Sequence, residues 1–108
     1  MELRDLTQEL LDAGRSLRNG ADELFVLAKE KAESEKEYRQ ALAREIFRLR
    51  QEGQPVSLVG DLARGNIAEA KYKRDLAEAK YHAGREALDS LRTQVSALQT
   101  ILKYQESA

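Results

Sequence analysis

The stretch QEGQPVSLVGDLARGN, Gln51–Asn66, holds the chain's one proline and three of its six glycines. On either side the composition is almost unbroken helix former. Gly53 suits the left-handed conformation that ends a helix, and Pro55 forces Gln54 out of helical geometry. Ser57 stands where an N-cap belongs, and Leu58, Val59 and Leu62 follow on one side of a turn or two of helix. Gly65 closes that short piece, and Asn66 caps what comes next. The segment therefore reads as a hairpin tip whose small helix covers the open end of a two-helix seam.

Working outward, Leu3, Leu6, Leu10, Leu11 and Leu17 recur at helical spacing and mark a first helix. RNGAD (residues 18–22) interrupts it, with Asn19-Gly20 as a left-handed cap and Asp22 as the next N-cap. A second helix carries Leu24, Leu27, Tyr38, Ala41, Leu42, Ile46 and Leu49. Its stretch KEKAESEKE (residues 29–37) reads as solvated, with charges pairing at i,i+4. In the last helix Leu88, Leu91, Val95, Leu98 and Leu102 form the seam of a coiled-coil contact. Its earlier half is rich in alanine, which lets a neighbour near Ala41 and Ala43 approach closely. The expected fold is all-α: one domain over residues 1–108, with helices at 3–18, 21–51, 57–64 and 66–104. It is a long antiparallel, coiled-coil-like helical hairpin with a short capping helix at the tip and an additional N-terminal helix.

Composition narrows the function. With 108 residues, 42% hydrophobic and 34% charged, no tryptophan and two phenylalanines, one copy buries little apolar surface, which favours a homo-oligomer. The Leu88, Leu91, Val95, Leu98 and Leu102 seam is the expected oligomer interface. There are no cysteines, so disulfides and thiolate metal sites are excluded. No stretch approaches the roughly 20 apolar residues of a membrane span. MELRDLTQEL at the start also lacks a basic-then-apolar signal pattern, so the expectation is a cytoplasmic protein without a membrane partner.

No constellation points to a reaction. The single histidine, His82, has Glu78 and Glu86 four residues to either side but no second histidine or cysteine, too little for zinc. Glu33, Glu35 and Glu37 lie on a solvated stretch without an apolar pocket to raise a pKa. No phosphate-cradling glycine loop and no nucleophile–histidine–acid pattern is present, so we expect neither a catalytic residue nor a cofactor or metal site.

Charge is unevenly placed. Residues 1–38 carry a net −4, residues 39–85 a net +4 and the remainder −1. AEAKYKRDL (68–76) is echoed by AEAKYHAGR (77–85), which sets Tyr72 and Tyr81 about two and a half turns apart on opposite helix faces. Basic residues interleaved with aromatics are the chemistry of single-strand binders. Arg44, Arg48, Lys71, Lys73, Arg74 and Lys80 are the candidate nucleic-acid contacts. The two tyrosines share no platform, so nucleic acid is not the favoured partner.

Several motifs cover the last two-thirds of the chain together: Tyr38 with Ala41-Leu42, the Gly53–Leu58 turn, Ala63-Arg64-Gly65, Arg74-Asp75-Leu76-Ala77 and the leucine tail from Gln94 to Tyr104. In these the sequence, over about residues 35–105, resembles small helical proteins encoded in phages and prophages of Gram-positive bacteria. That resemblance implies residence in the cytoplasm of a bacterial host and an accessory place beside phage recombination and replication. It supplies no catalytic motif. Small secreted helical hairpins are a poorer match, because Gly53–Leu58 stands where their Trp-x-Gly belongs. The expected function is a non-enzymatic, phage-type interaction protein that assembles through coiled-coil self-association. The alternatives are a nucleic-acid-binding accessory and an inhibitor or regulator of a host protein.

Overall fold

A computed structural model describes residues 2–107. It contains three helices, α1 (Leu3–Gln51), α2 (Val56–Asn66) and α3 (Ala68–Ser107), and no strand among the described residues. The all-α fold expected from the sequence is what is seen. The reversal between α1 and α2 falls at Gly53, the one glycine with positive φ among the described residues, at +83°. Its N–H donates to the Arg50 carbonyl at 3.0 Å, and the Gln54 N–H reaches back to the Leu49 carbonyl at 3.1 Å. This pair of bonds is a Schellman closure, which satisfies carbonyls that the helix end would leave open. Pro55, with φ −59° and ψ 135°, then starts α2, its carbonyl accepting from the N–H groups of Leu58 and Val59.

Three boundaries differ from the sequence expectation. α1 runs unbroken through RNGAD, so the expected helices 3–18 and 21–51 are one. Gly20 is helical because it allows close approach: a Cβ there would come within 3.1 Å of Leu88 Cδ1 and 3.9 Å of Leu91 Cδ1. At the tip, Ser57 caps nothing; Pro55 is the N-cap and no side chain bonds there. Gly65 does not end α2 either, since it lacks the positive φ that ends a helix at Gly53. The chain bends instead at Ile67, with φ −110° and ψ 29°. Even there the Ile67 N–H donates to Ala63 and the Lys71 N–H to Ile67, so four-residue bonding passes through the bend.

Nor does α2 lie across the end of a seam. Val59 and Ala63 are buried against Leu49, with Leu42 and Ile46 packed around them. The Asn66 Nδ2 donates to Glu45 Oε1 at 2.9 Å, so α2 runs back alongside α1 as the start of the returning arm.

Contacts divide the chain into two units. The first joins residues up to Val26 with those from His82 onward, and the second is Leu27–Tyr81. In the first unit Leu6, Ala13 and Leu98 are buried together, with Leu10, Val95 and Leu102 against them. Gly20 meets Leu88 and Leu91, so advancing along α1 means retreating along α3, and the arms are antiparallel. Covered positions alternate by three and four: Leu6, Leu10, Ala13, Leu17, Gly20 and Leu24 on α1, and Leu88, Leu91, Val95, Leu98 and Leu102 on α3. That alternation is the spacing of coiled-coil packing.

The second unit keeps the spacing and changes the chemistry. Its covered positions include Leu27, Lys31, Ser34, Tyr38, Ala41 and Glu45 on α1, and Ile67, Ala70, Arg74, Ala77 and Tyr81 on the returning arm. KEKAESEKE is thus not wholly solvated, since Lys31, Ser34 and Glu35 are half-buried. The alanine contact is also narrower than expected. Ala77 is buried and Ala41 and Ala70 half-buried, whereas Ala43, Ala68, Ala79, Ala83 and Ala87 are exposed.

Glycine substitutions separate these roles. Gly14 sits inside α1 with nothing within 4 Å of where a methyl group would stand, so Gly14→Ala should stabilise by about 0.5–1 kcal/mol. Gly20→Ala should gain less, because Leu88 must shift. Gly53→Ala should lose about 1–2 kcal/mol from its left-handed backbone. Thermal unfolding of the three variants against the parent checks that ranking.

Candidate functional site

Polar residues concentrate at covered positions of the second unit, which makes this stretch the candidate site. Tyr38 is 7% exposed, and the Arg74 guanidinium carbon lies 4.0 Å from its ring centroid. On the other side Arg74 donates to Asp75 Oδ1 from Nε and Nη2 at 3.2 and 3.1 Å, and Nε stands 3.7 Å from Glu35 Oε2. Burial works to lower the Arg74 pKa. The hydrogen bond and charge of Asp75, with Tyr38 and Glu35, outweigh it, so the direction is upward and the group stays cationic. A guanidinium stacked on a tyrosine in a partly dry setting is worth about 1–2 kcal/mol. One layer away Lys31 Nζ lies 5.0 Å above the Tyr81 ring.

Two grooves flank this layer. One, of about 480 Å³, is lined by Ala28, Lys31, Ala32, Glu35 and Arg39 of α1 and by Arg74, Glu78 and Tyr81 of α3. Three of its charged side chains are engaged, since Arg39 Nε donates to Glu35 Oε1 at 2.9 Å and Arg74 is held as above. The other, of about 220 Å³, has Glu30, Glu33 and Glu37 from α1 on one wall and Lys73, Leu76 and Lys80 from α3 on the other, with Ser34 and Ala77 between.

The candidate nucleic-acid contacts stand in different surroundings. Arg48 is bonded to Glu45 and Glu52, Lys71 to Asp75 at 2.9 Å, and Arg74 is drawn into the seam. Arg44, Lys73 and Lys80 are exposed, and the two lysines face a wall of glutamates. Tyr72 is 61% exposed while Tyr81 is half-buried, so the two tyrosines form no common platform.

The expected oligomer interface lies elsewhere than at a free surface. Leu88 and Leu98 are buried, and Leu91, Val95 and Leu102 half-buried, in the first unit's own seam with α1. His82 is exposed on α3, and among the described residues no group of three His, Cys, Asp or Glu side chains could hold a metal ion. No helix among the described residues is long and apolar enough to cross a membrane.

Sequence reasoning treated Arg74 as a surface cation and passed over the chain's two phenylalanines. Counting back from Leu88 by fours and threes reaches Gly84, Tyr81, Ala77 and then Arg74, a signal that was available. Phe25 and Phe47 are 74% and 65% exposed, off the covered stripe of α1.

Acid should loosen the second unit. Hydrogen bonds from Arg48 and Asn66 hold the Glu45 carboxyl below its usual range, and bonds from Lys71 and Arg74 do the same for Asp75. A depressed carboxylate contributes stability that is full above its ordinary pKa and is lost as pH falls through its lowered one. Melting temperature should therefore fall below about pH 4, and Glu45→Gln with Asp75→Asn should flatten that decline. Arg74→Ala should cost about 1–2 kcal/mol by chemical denaturation, with Arg74→Lys recovering only part of it.

No protein-family model matches this chain, and neither does any curated protein or solved structure; what can be said of its function rests on its own geometry.

Proposed function

We propose that this chain is a non-enzymatic helical interaction protein of phage type, resident in the bacterial host's cytoplasm, that works by associating with further copies of itself. The observation that carries the reading is the placement of its apolar residues. Among the described residues nine hydrophobics are buried, three of them alanine, while twelve large ones are exposed. Phenylalanine is among the residue types most often buried, yet both of this chain's phenylalanines are in solvent. A single copy therefore leaves much of its apolar side-chain area uncovered, and association is the ordinary way to cover it.

Because the Leu88–Leu102 stripe packs against α1 of the same chain, association takes place through outer faces and leaves the seam closed. This modifies the mode of coiled-coil assembly expected from the sequence and keeps its outcome. Catalysis is not part of the reading: in the larger groove Arg39 pairs with Glu35 and Arg74 stands beside the same carboxylate, and a thin seam offers little concavity for a substrate.

Light scattering coupled to size exclusion, over a wide range of protein concentration, should give a mass that rises from one copy to a discrete multiple. A single-copy mass at every concentration would overturn the proposal. Anisotropy of labelled single- and double-stranded oligonucleotides at low salt should show no binding. A log-linear loss of affinity with salt would instead establish phosphate contacts and promote Arg44, Lys73 and Lys80 to a site.

A further inference from the structure

The smaller groove of the second unit has walls of opposite sign that do not neutralise each other. Glu30 and Glu37 on α1, and Lys73 and Lys80 on α3, line one depression of about 220 Å³. No ion pair among the described residues involves any of the four; Glu33, beside them, reaches Lys29 on its own helix at 4.0 Å. Elsewhere in this unit cations find carboxylates readily, as Arg39, Arg48, Lys71 and Arg74 do. Leu76, 40% exposed, is three residues after Lys73 and four before Lys80, so the three share one face of α3.

The two walls stand level with each other. Lys31 lies over Tyr81, and Arg74 lies over Tyr38, so residues 31–38 of α1 run beside 74–81 of α3 in the opposite direction. An acidic wall and a basic wall at the same height, on parallel tracks, form a self-complementary surface. A rotation of 180° about an axis parallel to the arms brings the α1 wall of one copy over the α3 wall of another at the same height. An isologous contact needs that property, in which each patch meets its own complement. A uniformly acidic or basic partner would meet one wall of like charge.

Resting on the reading that the protein self-associates, we infer that a second copy of this chain docks on this face. Glu30 and Glu37 of each copy then meet Lys73 and Lys80 of the other, with Leu76 supplying apolar contact beside them. The larger groove is a poorer match, because Arg39 and Glu35 already pair with each other and Arg74 is held by Asp75 and Glu35.

The test is a charge-swap cycle on the full chain, read as dimer dissociation constant by sedimentation equilibrium, with helix content checked by circular dichroism. Lys73→Glu with Lys80→Glu sets two acidic faces together, and Glu30→Lys with Glu37→Lys sets two basic ones; each should weaken the dimer by about tenfold or more. Mixing the two variants should restore association as a heterodimer. The chain carrying all four changes should again pair with itself, which shows that weakening comes from sign and not from misfolding. Swaps that leave the dimer as tight as the parent, or a mixture and a four-change chain that fail to restore it, would overturn this face while self-association stands. A parent that stays single-copy at every concentration would overturn both.

Discussion

The four-residue reversal between α1 and α2, centred on Gly53, sets the register on which the contacts of the second unit depend. A Schellman closure is a fixed-length device: its two hydrogen bonds tie Gly53 to Arg50 and Gln54 to Leu49 and leave no freedom to slip. Once Pro55 has started α2, Val59 and Ala63 fall against the last turns of α1, and Asn66 is delivered to Glu45. Arg74 then arrives at Tyr38 and Tyr81 at Lys31. A slip of one residue would rotate the returning arm by about 100° and carry Arg74 off the tyrosine ring.

Within that register the two units solve burial in different ways. The first packs leucines, and its one concession is Gly20, where a missing side chain makes room for Leu88. The second packs Leu42, Ile46, Leu49, Val59 and Ala63 near its reversal, and farther along places a lysine, a serine, an arginine and small alanines at equivalent positions. Those polar layers are weaker, because alanine buries little area and a desolvated cation must be compensated. They are also more selective. Arg74 meets the Tyr38 ring and Glu35 across the seam, so a misaligned pairing takes both away and leaves it only the neighbouring Asp75. The leucine seam supplies adhesion with little preference for register, and the polar layer supplies preference.

Much of this was legible in the residues, and what was not has identifiable causes. The all-α class, the reversal at Gly53 and the leucine stripe of α3 follow from spacing and turn chemistry, both local properties. The break expected at Asn19-Gly20 is absent because glycine has two uses, left-handed backbone and close approach, and only the partner helix tells them apart. Gly65 has neither use, with no positive φ and nothing within 4 Å of where a methyl would stand, and the bend falls at Ile67, a β-branched residue with no breaker signature. Arg74 was legible as a charge and hidden as a core position, since hydropathy marks a heptad only where the heptad is apolar. Whether the leucine stripe meets its own chain or another is likewise beyond spacing; it depends on whether α1 presents a matching stripe at the right height, which Leu6, Leu10 and Ala13 do.

Closing the leucine seam inside one chain changes what association can look like. Were that stripe open, any chain with a heptad of leucines could compete for it, and specificity would be poor, because apolar knobs discriminate weakly among apolar holes. With the seam occupied, the proposed association falls to outer faces, where charged side chains lie among exposed apolar ones. There the sign of each wall decides which partner and which orientation are tolerated, and scattered residues such as Leu76 and Tyr72 add area without dictating geometry. On the proposed mode of association, an outer face that carries both signs at one height disfavours partners of uniform charge and suits its own rotated image. A net charge of only −1 is compatible with such a face, because a small sum of charges does not require that they be evenly mixed.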